Sequence, residues 1–386
     1  MEFKSVPLAY SNVNQDLVWV CYDANSTNPA FSNYKYVLEL YVGTTRIYIG
    51  KAFPRPIGNF GIFNLAPVIR EYINAHLSPS SNGILAQEMG VNDFLINVQV
   101  KIREEYNGSV GAVILTDDVR TFYNFYNSSF SDLVTNGSFE YTFDFIFGYL
   151  NKIASLRPKT AYSFIGNKHL FIPYFALTNS AFNVVINGTY TKTITPTQAK
   201  SMQILNLSPD AINTDFSGAI SSNATSYSVN INGEVYTIKI VCEPLWEQYP
   251  VHFLNKFGAF ETMVFSKVSR KSRSMTSKDF FQQPYRISDA GVLTYQSNKV
   301  FHDQRTTFGK TIKEKLTIST DFLSDAEWLW LGDLVSSPMV YIEINDSIYP
   351  VTITETNYDF KSNVVDGLNQ LILNVDTGVT LKTQFQ

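Results

Sequence analysis

Paired carboxylates are the residues whose spacing could do chemistry in this chain. A glycosidase needs only two acids at a set separation. Four pairs are candidates: Glu104 with Glu105, Asp117 with Asp118, Glu243 with Glu247, and Asp321 with Asp325. Adjacent acids on a strand point to opposite faces, so Asp117 and Asp118 fit a hairpin or loop better than a shared site. Asp321 and Asp325 flank a helix start, where negative charge is favoured. The four histidines, His76, His169, His252 and His302, fall in separate segments without a His-x-His or His-x-x-x-His pair, so no local zinc motif is present. Cys21 and Cys242 lie far apart in apolar runs, and read as two separate buried thiols rather than a disulfide framework. The sequence holds neither a Gly-x-Ser-x-Gly elbow nor a phosphate-binding glycine loop. Asp366 and Gly367 lack the ligand spacing and closing Glu of a calcium loop and read as a turn. The expectation is a protein that is not an enzyme and uses no cofactor or metal.

Composition points to surface instead. The chain has 386 residues with 23 Tyr and 29 Phe, but charged residues make up only 17%, against about 25% in ordinary globular domains. Asn, Ser and Thr fill the polar positions. Such groups are easier to dehydrate than Lys or Glu, because burying an unpaired charge costs far more than burying a hydrogen-bonded amide or hydroxyl. The formal net charge of -4 gives no general attraction to DNA or an anionic membrane. No apolar run reaches the length of a membrane span, and the first residues do not read as a secretory signal.

The elements that would carry this surface are mostly strands. Residues 16–22, 34–42 and 46–51 read as strands, and Phe94 to Tyr106 alternates cleanly before an Asn107-Gly108 turn and a return strand at 110–115. Asn64, Pro67 and the spacing of Val68, Ile69, Tyr72, Ile73 and Leu77 predict a short helix within 63–77. Residues 78–90 read as a loop. Alternating Phe139, Tyr141, Phe143, Phe145 and Phe147 predict a strand with one aromatic face. Short strands joined by Asn187-Gly188 and Asn232-Gly233 continue to a Gly258 break between two further strands. Lys267, Arg270, Lys271, Arg273 and Lys278, laced with Ser and Thr, read as a solvated basic loop or one that salt-bridges a partner, and 279–309 as irregular. With few aromatics interleaved, direct nucleic-acid contact is not expected. A strand from Lys310, a helix opened by a Ser324/Glu327 capping box and stopped at Ser337-Pro338, and three strands complete the chain. The fold class expected is mainly β: a multidomain β-sandwich with a few short helices. The expected division is an N-terminal sandwich at 1–118, an aromatic connection at 119–157, a central β-rich domain at 158–265, a basic loop and linker at 266–309, and a C-terminal β domain with a helix at 310–386.

Three segments carry a resemblance: Phe253 to Phe265 (FLNKFGAFETMVF), Phe63 to Ile73 (FNLAPVIREYI), and Glu327 to Ile342 (EWLWLGDLVSSPMVYI) followed by Tyr349 to Ile353. There the chain resembles structural tail or neck proteins of tailed phages infecting Bacteroidetes, including crAss-like phages. The resemblance touches about a quarter of the chain and contains no catalytic signature. It implies a virion component, present as a ring of copies in contact with other phage structural proteins and with no membrane partner. Ring contacts are heterologous and close by rotation, with exposed aromatic and Met side chains supplying their buried centres and charge-assisted contacts from Arg270 or Arg273 tuning the fit. The expected interface residues are Trp246, Tyr249, Phe257, Arg270, Arg273, Trp328 and Trp330. Trp328 and Trp330 are two apart on a helix and cannot share one narrow stripe, so either one packs inward while the other faces a partner, or both widen the core. The alternative expectation is a carbohydrate- or receptor-binding module at a phage tail tip, with aromatic strand faces stacking on sugars.

Overall fold

Period-two patterning builds the first sheet. In strand Leu95–Tyr106 the side chains of Ile96, Val98, Val100 and Ile102 are buried. Their register sets Val98 beside Val42, Val100 beside Leu40 and Ile102 beside Leu38 of strand Lys35–Val42. The computed structural model describes all residues except 8–9, 15, 24–32, 80–81, 125–151, 243, 282–284, 296–304, 357–368 and 385–386. The expected aromatic strand face from Phe139 to Phe147 and the turn at Asp366 lie outside the described residues. The fold is mainly β and multidomain. Its helices among the described residues are Ala66–Arg70, Pro209–Asp215 and Asp325–Ser336, and none is long and apolar enough to cross a membrane.

The chain divides into two compact units. One comprises Met1–Glu243, Pro250–Met263 and Ser324–Pro338; the other comprises Pro244–Tyr249, Val264–Leu323 and Met339–Gln386. The first unit holds two cores. In the first core, strands Glu2–Ser5, Val18–Tyr22 and Phe60–Asn64 form one sheet. It faces a second sheet ordered Tyr10–Asn12, Arg120–Tyr123, Leu95–Tyr106, Lys35–Val42, Thr45–Ala52, with Ser109–Thr116 also paired to Leu95–Tyr106. Trp19, Cys21 and Phe63 from the smaller sheet pack with Tyr36, Leu38, Ile102 and Phe122 from the larger. Asn107 and Gly108 both have positive φ, 51° and 79°, as a two-residue hairpin turn requires.

The second core lies between two further sheets. One is ordered Lys152–Ile153, Phe171–Ala176, Ser201–Asn206, Leu85–Met89; the other is ordered Thr160–Ser163, Glu234–Ile240, Ser226–Ile231, Phe182–Ile186, Tyr190–Ile194. Tyr174, Phe182, Val184, Leu205, Val229 and Tyr236 meet between them. Two expected boundaries shift. Arg120–Tyr123 belongs to the first sandwich, paired to Leu95–Tyr106, and Leu85–Met89, read from sequence as loop, is an edge strand on Ser201–Asn206. Its Glu88 accepts from the Thr197 backbone N–H at 3.0 Å, and Gln87 donates to the His76 carbonyl at 2.8 Å. These partners satisfy polar side chains that break the apolar alternation.

Other expectations are corrected locally. The first helix covers only Ala66–Arg70. Asn64 accepts from the Ala66 N–H at 3.2 Å and the Leu17 N–H at 3.3 Å, but beyond Arg70 the backbone finds non-local partners, Asn74 N–H donating to the Asn92 carbonyl at 2.9 Å. Cys21 is buried, and burial pushes its thiol up to about 12. Cys242 is exposed, because it follows the end of strand Glu234–Ile240.

The helix Asp325–Ser336 opens with the expected capping box: the Ser324 hydroxyl accepts from the Glu327 N–H, and the Glu327 carboxylate accepts from the Ser324 N–H at 2.9 Å. Both Trp328 and Trp330 are buried, at 2% and 1% exposure. The helix belongs to the first unit rather than to a C-terminal domain. The Trp330 ring packs against Phe253 with centroids 5.7 Å apart and lies 4.4 Å from the Arg157 guanidinium. Its indole N–H donates to the buried carboxylate of Glu261. Glu261 also accepts from Asn255 Nδ2 and, at 3.0 Å, from the Ser155 hydroxyl. Asn255 Nδ2 donates at 2.8 Å to the Ala154 carbonyl as well, while Asn255 Oδ1 accepts from the N–H groups of Phe257 and Ala259 at 3.0 and 3.1 Å. Between these, Gly258 has φ +76°, and a Cβ there would stand 2.2 Å from the Asn124 carbonyl oxygen.

Two expectations for stability follow from this cluster. Burial raises the Glu261 carboxyl to about 7, against hydrogen bonds from Asn255 and Trp330 and the charge of Arg157 that act to lower it. Between the ordinary carboxyl value of about 4.3 and that raised value the folded chain binds a proton that the unfolded chain has released, so stability falls as pH rises through this window. Urea unfolding followed by tryptophan fluorescence should show a loss on the order of 3 kcal/mol from this group between pH 4.5 and 7.5. Glu261→Gln should cost about 1–3 kcal/mol at acid pH, where its amide puts donors against donors, and flatten the pH dependence; an unchanged slope in the variant would refute the assignment. Gly258→Ala should lose roughly 2–4 kcal/mol from strain and overlap with backbone, measured by the same unfolding curves.

Candidate interaction surface

The second unit is built on one antiparallel run of strands, ordered Val340–Ile344, Ser347–Thr356, Ile372–Gln384, Arg305–Ser319, Arg270–Phe281. The segment read from sequence as a basic loop is thus a 12-residue strand. The stretch read as irregular contains the hairpin Tyr285–Ile287 with Leu293–Tyr295 and the start of strand Arg305–Ser319. The reason is long-range pairing. Lys271 sits opposite Leu316 and Met275 opposite Ile312, so the few apolar residues of the basic segment find partners about forty positions along the chain.

Directly opposed residues on antiparallel strands share a face. Arg270, Ser272, Ser274, Thr276 and Lys278 therefore lie on the same face as Thr317, Lys315, Lys313 and Thr311. Arg270, Lys278, Lys313 and Lys315 are exposed there, and none of the four makes an ion pair with a described residue. On the third strand, Asp376 stands opposite Lys315 and turns one carboxylate oxygen to accept from the Gly378 N–H at 2.8 Å. The other face differs. Arg273 Nε donates to Glu314 Oε1 at 2.6 Å, and Lys271 Nζ lies 3.6 Å from Glu247. A groove of about 470 Å³ on this unit is lined by residues including Lys271, Arg273, Glu314, Leu316, Ile344 and Tyr349. Its one acid, Glu314, is already held by Arg273.

Among described residues, Arg270–Phe281 closes the strand order, with no neighbour on its outer side. Every residue from Arg270 to Lys278 is exposed. Apolar side chains are exposed on or near it: Met275 is 60% accessible, Val268 58%, Trp246 55% and Leu245 97%. The contact of Lys271 with Glu247 brings the loop bearing Leu245 and Trp246 to the start of the strand.

The expected interface residues separate into three groups. Trp246, Arg270 and Arg273 are exposed in the second unit, as an interface requires. Tyr249, Trp328 and Trp330 are at most 2% accessible, so they have no surface left to offer a partner. Phe257 is half-buried in the first unit with Lys256 Nζ 5.3 Å over its ring. Lys313 and Lys315 were absent from the expected set. Their signal lay in the alternation of Ile312, Leu316 and Ile318, which leaves the lysines on the opposite side of the same strand.

Glu104, Glu105, Asp117 and Asp321 are engaged structurally. Glu104 accepts from the Tyr34 hydroxyl at 2.8 Å, whereas Glu105 faces Lys51 and Lys35. Asp117 accepts from Trp19 Nε1 at 2.9 Å and takes two bonds from the Arg120 guanidinium. Burial acts to raise its carboxyl, but the bonds from Arg120 and Trp19 prevail and hold it below the ordinary range. Asp321 pairs with Lys267 at 2.9 Å. Glu243 lies outside the described residues. Two histidines expected to be isolated do meet: the rings of His169 and His252 are 5.4 Å apart, Phe171 stacks on His252, and His252 Nδ1 lies 2.8 Å from the Thr262 hydroxyl. Among the described residues no group of three His, Cys, Asp or Glu is placed to hold a metal.

No family model matches the chain, and no curated protein is similar to it.

Amide exchange tests the edge directly. In an antiparallel edge strand alternate N–H groups point to the neighbouring strand and the rest to water. Along 270–278 every second amide should exchange slowly and the others fast, read by NMR. Uniformly fast exchange would indicate a loop, and uniform protection would mean that the outer side is covered.

Proposed function

We propose that this chain is a structural subunit of a phage tail or neck, present in the virion as copies in a ring that also contact other phage structural proteins. The observation that carries this reading is the long edge strand Arg270–Phe281, exposed at every residue from Arg270 to Lys278. An open edge offers a row of backbone donors and acceptors to any passing chain, and folded proteins usually shorten, twist or cover such edges. A subunit of an assembly has a reason to keep one, because strand addition between subunits uses it. The exposed Leu245, Trp246 and Val268 fit the apolar centre of a contact with a polar rim. The composition supports the same reading, with few charges to desolvate. The sugar-binding alternative needs several aromatic side chains around one concavity, and the groove lining contributes Tyr349 alone.

The test is a mass measurement of the purified chain across a concentration series, together with antibody labelling of intact particles in electron microscopy. A discrete oligomer and labelling of one layer of the particle are expected, and Trp246→Ala should weaken association by about 2 kcal/mol. A monomer at every concentration, with no label on the particles, would reject the proposal.

A further inference from the structure

We infer that the outer edge of strand Arg270–Phe281 receives an extended, acidic polypeptide segment of a neighbouring protein, which adds to the sheet as a further strand. The inference deepens the assembly reading above by naming the chemistry of one contact.

Three observations converge on this occupant. The first is the open edge itself: among described residues nothing pairs with its outer side, so the partner must supply backbone N–H and carbonyl groups along its length. A strand does this, and a nucleic acid does not. The second is the charge on one face. Arg270, Lys278, Lys313 and Lys315 point to the same side without an ion-pair partner among the described residues, and they are separated by Ser and Thr. Alternate residues of an added strand recur on one face about every 6.5–7 Å, the same repeat as the residues beside them, so acids at every second position would lie along this basic side. The third is what the charge forbids. Pairing of this edge with the same edge of a second copy would set cations beside cations, and like charges across a strand pair are destabilising. Arg270 to Thr276 also presents no aromatic side chain on the basic face, so the stacking on which single-stranded nucleic acids depend is missing there.

The probe is a fluorescein-labelled peptide of about ten residues that alternates Glu and Thr, matched to the strand repeat and titrated by anisotropy against the full chain at low and high salt. It should bind, and more weakly at high salt. The Lys313→Gln, Lys315→Gln double variant, with both changes at exposed positions and no acid placed opposite Asp376, should bind roughly fivefold more weakly while keeping the wild-type melting temperature. Two further peptides carry backbone N-methyl groups on every Thr or on every Glu. One of them should lose binding and the other keep it, because only one set of N–H groups faces the edge. Tolerance of both, absence of binding by the Glu-Thr peptide, or tighter binding of a labelled oligothymidylate than of the peptide would each overturn the inference. A chain that assembles but ignores the peptide would lose this inference and keep the assembly reading. A chain that binds the peptide but never appears in particles would do the reverse.

Discussion

A single buried carboxylate organises much of the first unit. Glu261 lies on strand Phe260–Phe265, yet its donors come from Ser155, Asn255 and Trp330, residues 106, 6 and 69 positions away in the chain. An acid buried without donors would be prohibitively costly. The carboxylate is therefore tenable only when the 154–157 segment, the 255–259 turn and the helix Asp325–Ser336 are all in place. Arg157, with its guanidinium over the Trp330 ring and one N–H 3.5 Å from the Phe171 carbonyl, lines the same region. The cluster makes a late segment, Ser324–Pro338, a structural part of a unit composed mostly of earlier residues.

Such a design explains which features were legible in the sequence. Local signals were read correctly: the Ser324/Glu327 capping box, the Asn-Gly turns at 107, 187 and 232 with their positive φ angles, and the alternation of Leu95–Tyr106. Each is written in residues a few positions apart. Features that depend on distant partners were misread. Leu85–Met89 reads as loop until Ser201–Asn206 supplies its neighbour, and Arg270–Phe281 reads as loop until Arg305–Ser319 does.

Trp328 and Trp330 show the same limit from the other side. That two residues two apart on a helix cannot share one narrow stripe holds here. The step from there to a partner-facing indole fails, because the helix is enclosed on more than one side, with Leu331 and Leu334 fully buried as well. The exposed surface of the second unit was half visible: Arg270 and Arg273 came from composition, while Lys313 and Lys315 became neighbours of that strand only through register. Most candidate acids were visible by type but not by role: Asp117 is held by Arg120, three positions on, and by an indole 98 positions away.

The two cysteines differ in a way that is useful at the bench. Cys21 lies inside the first sandwich with its proton firmly held, whereas Cys242 faces solvent. Thiolate is the reactive form and must be reached by reagent, so a maleimide applied to the native chain should mark one sulfur and a second only after the sandwich opens. The molecule thus comes with a ready point of attachment for a dye or a gold cluster, and with an internal clock that counts openings of its first core.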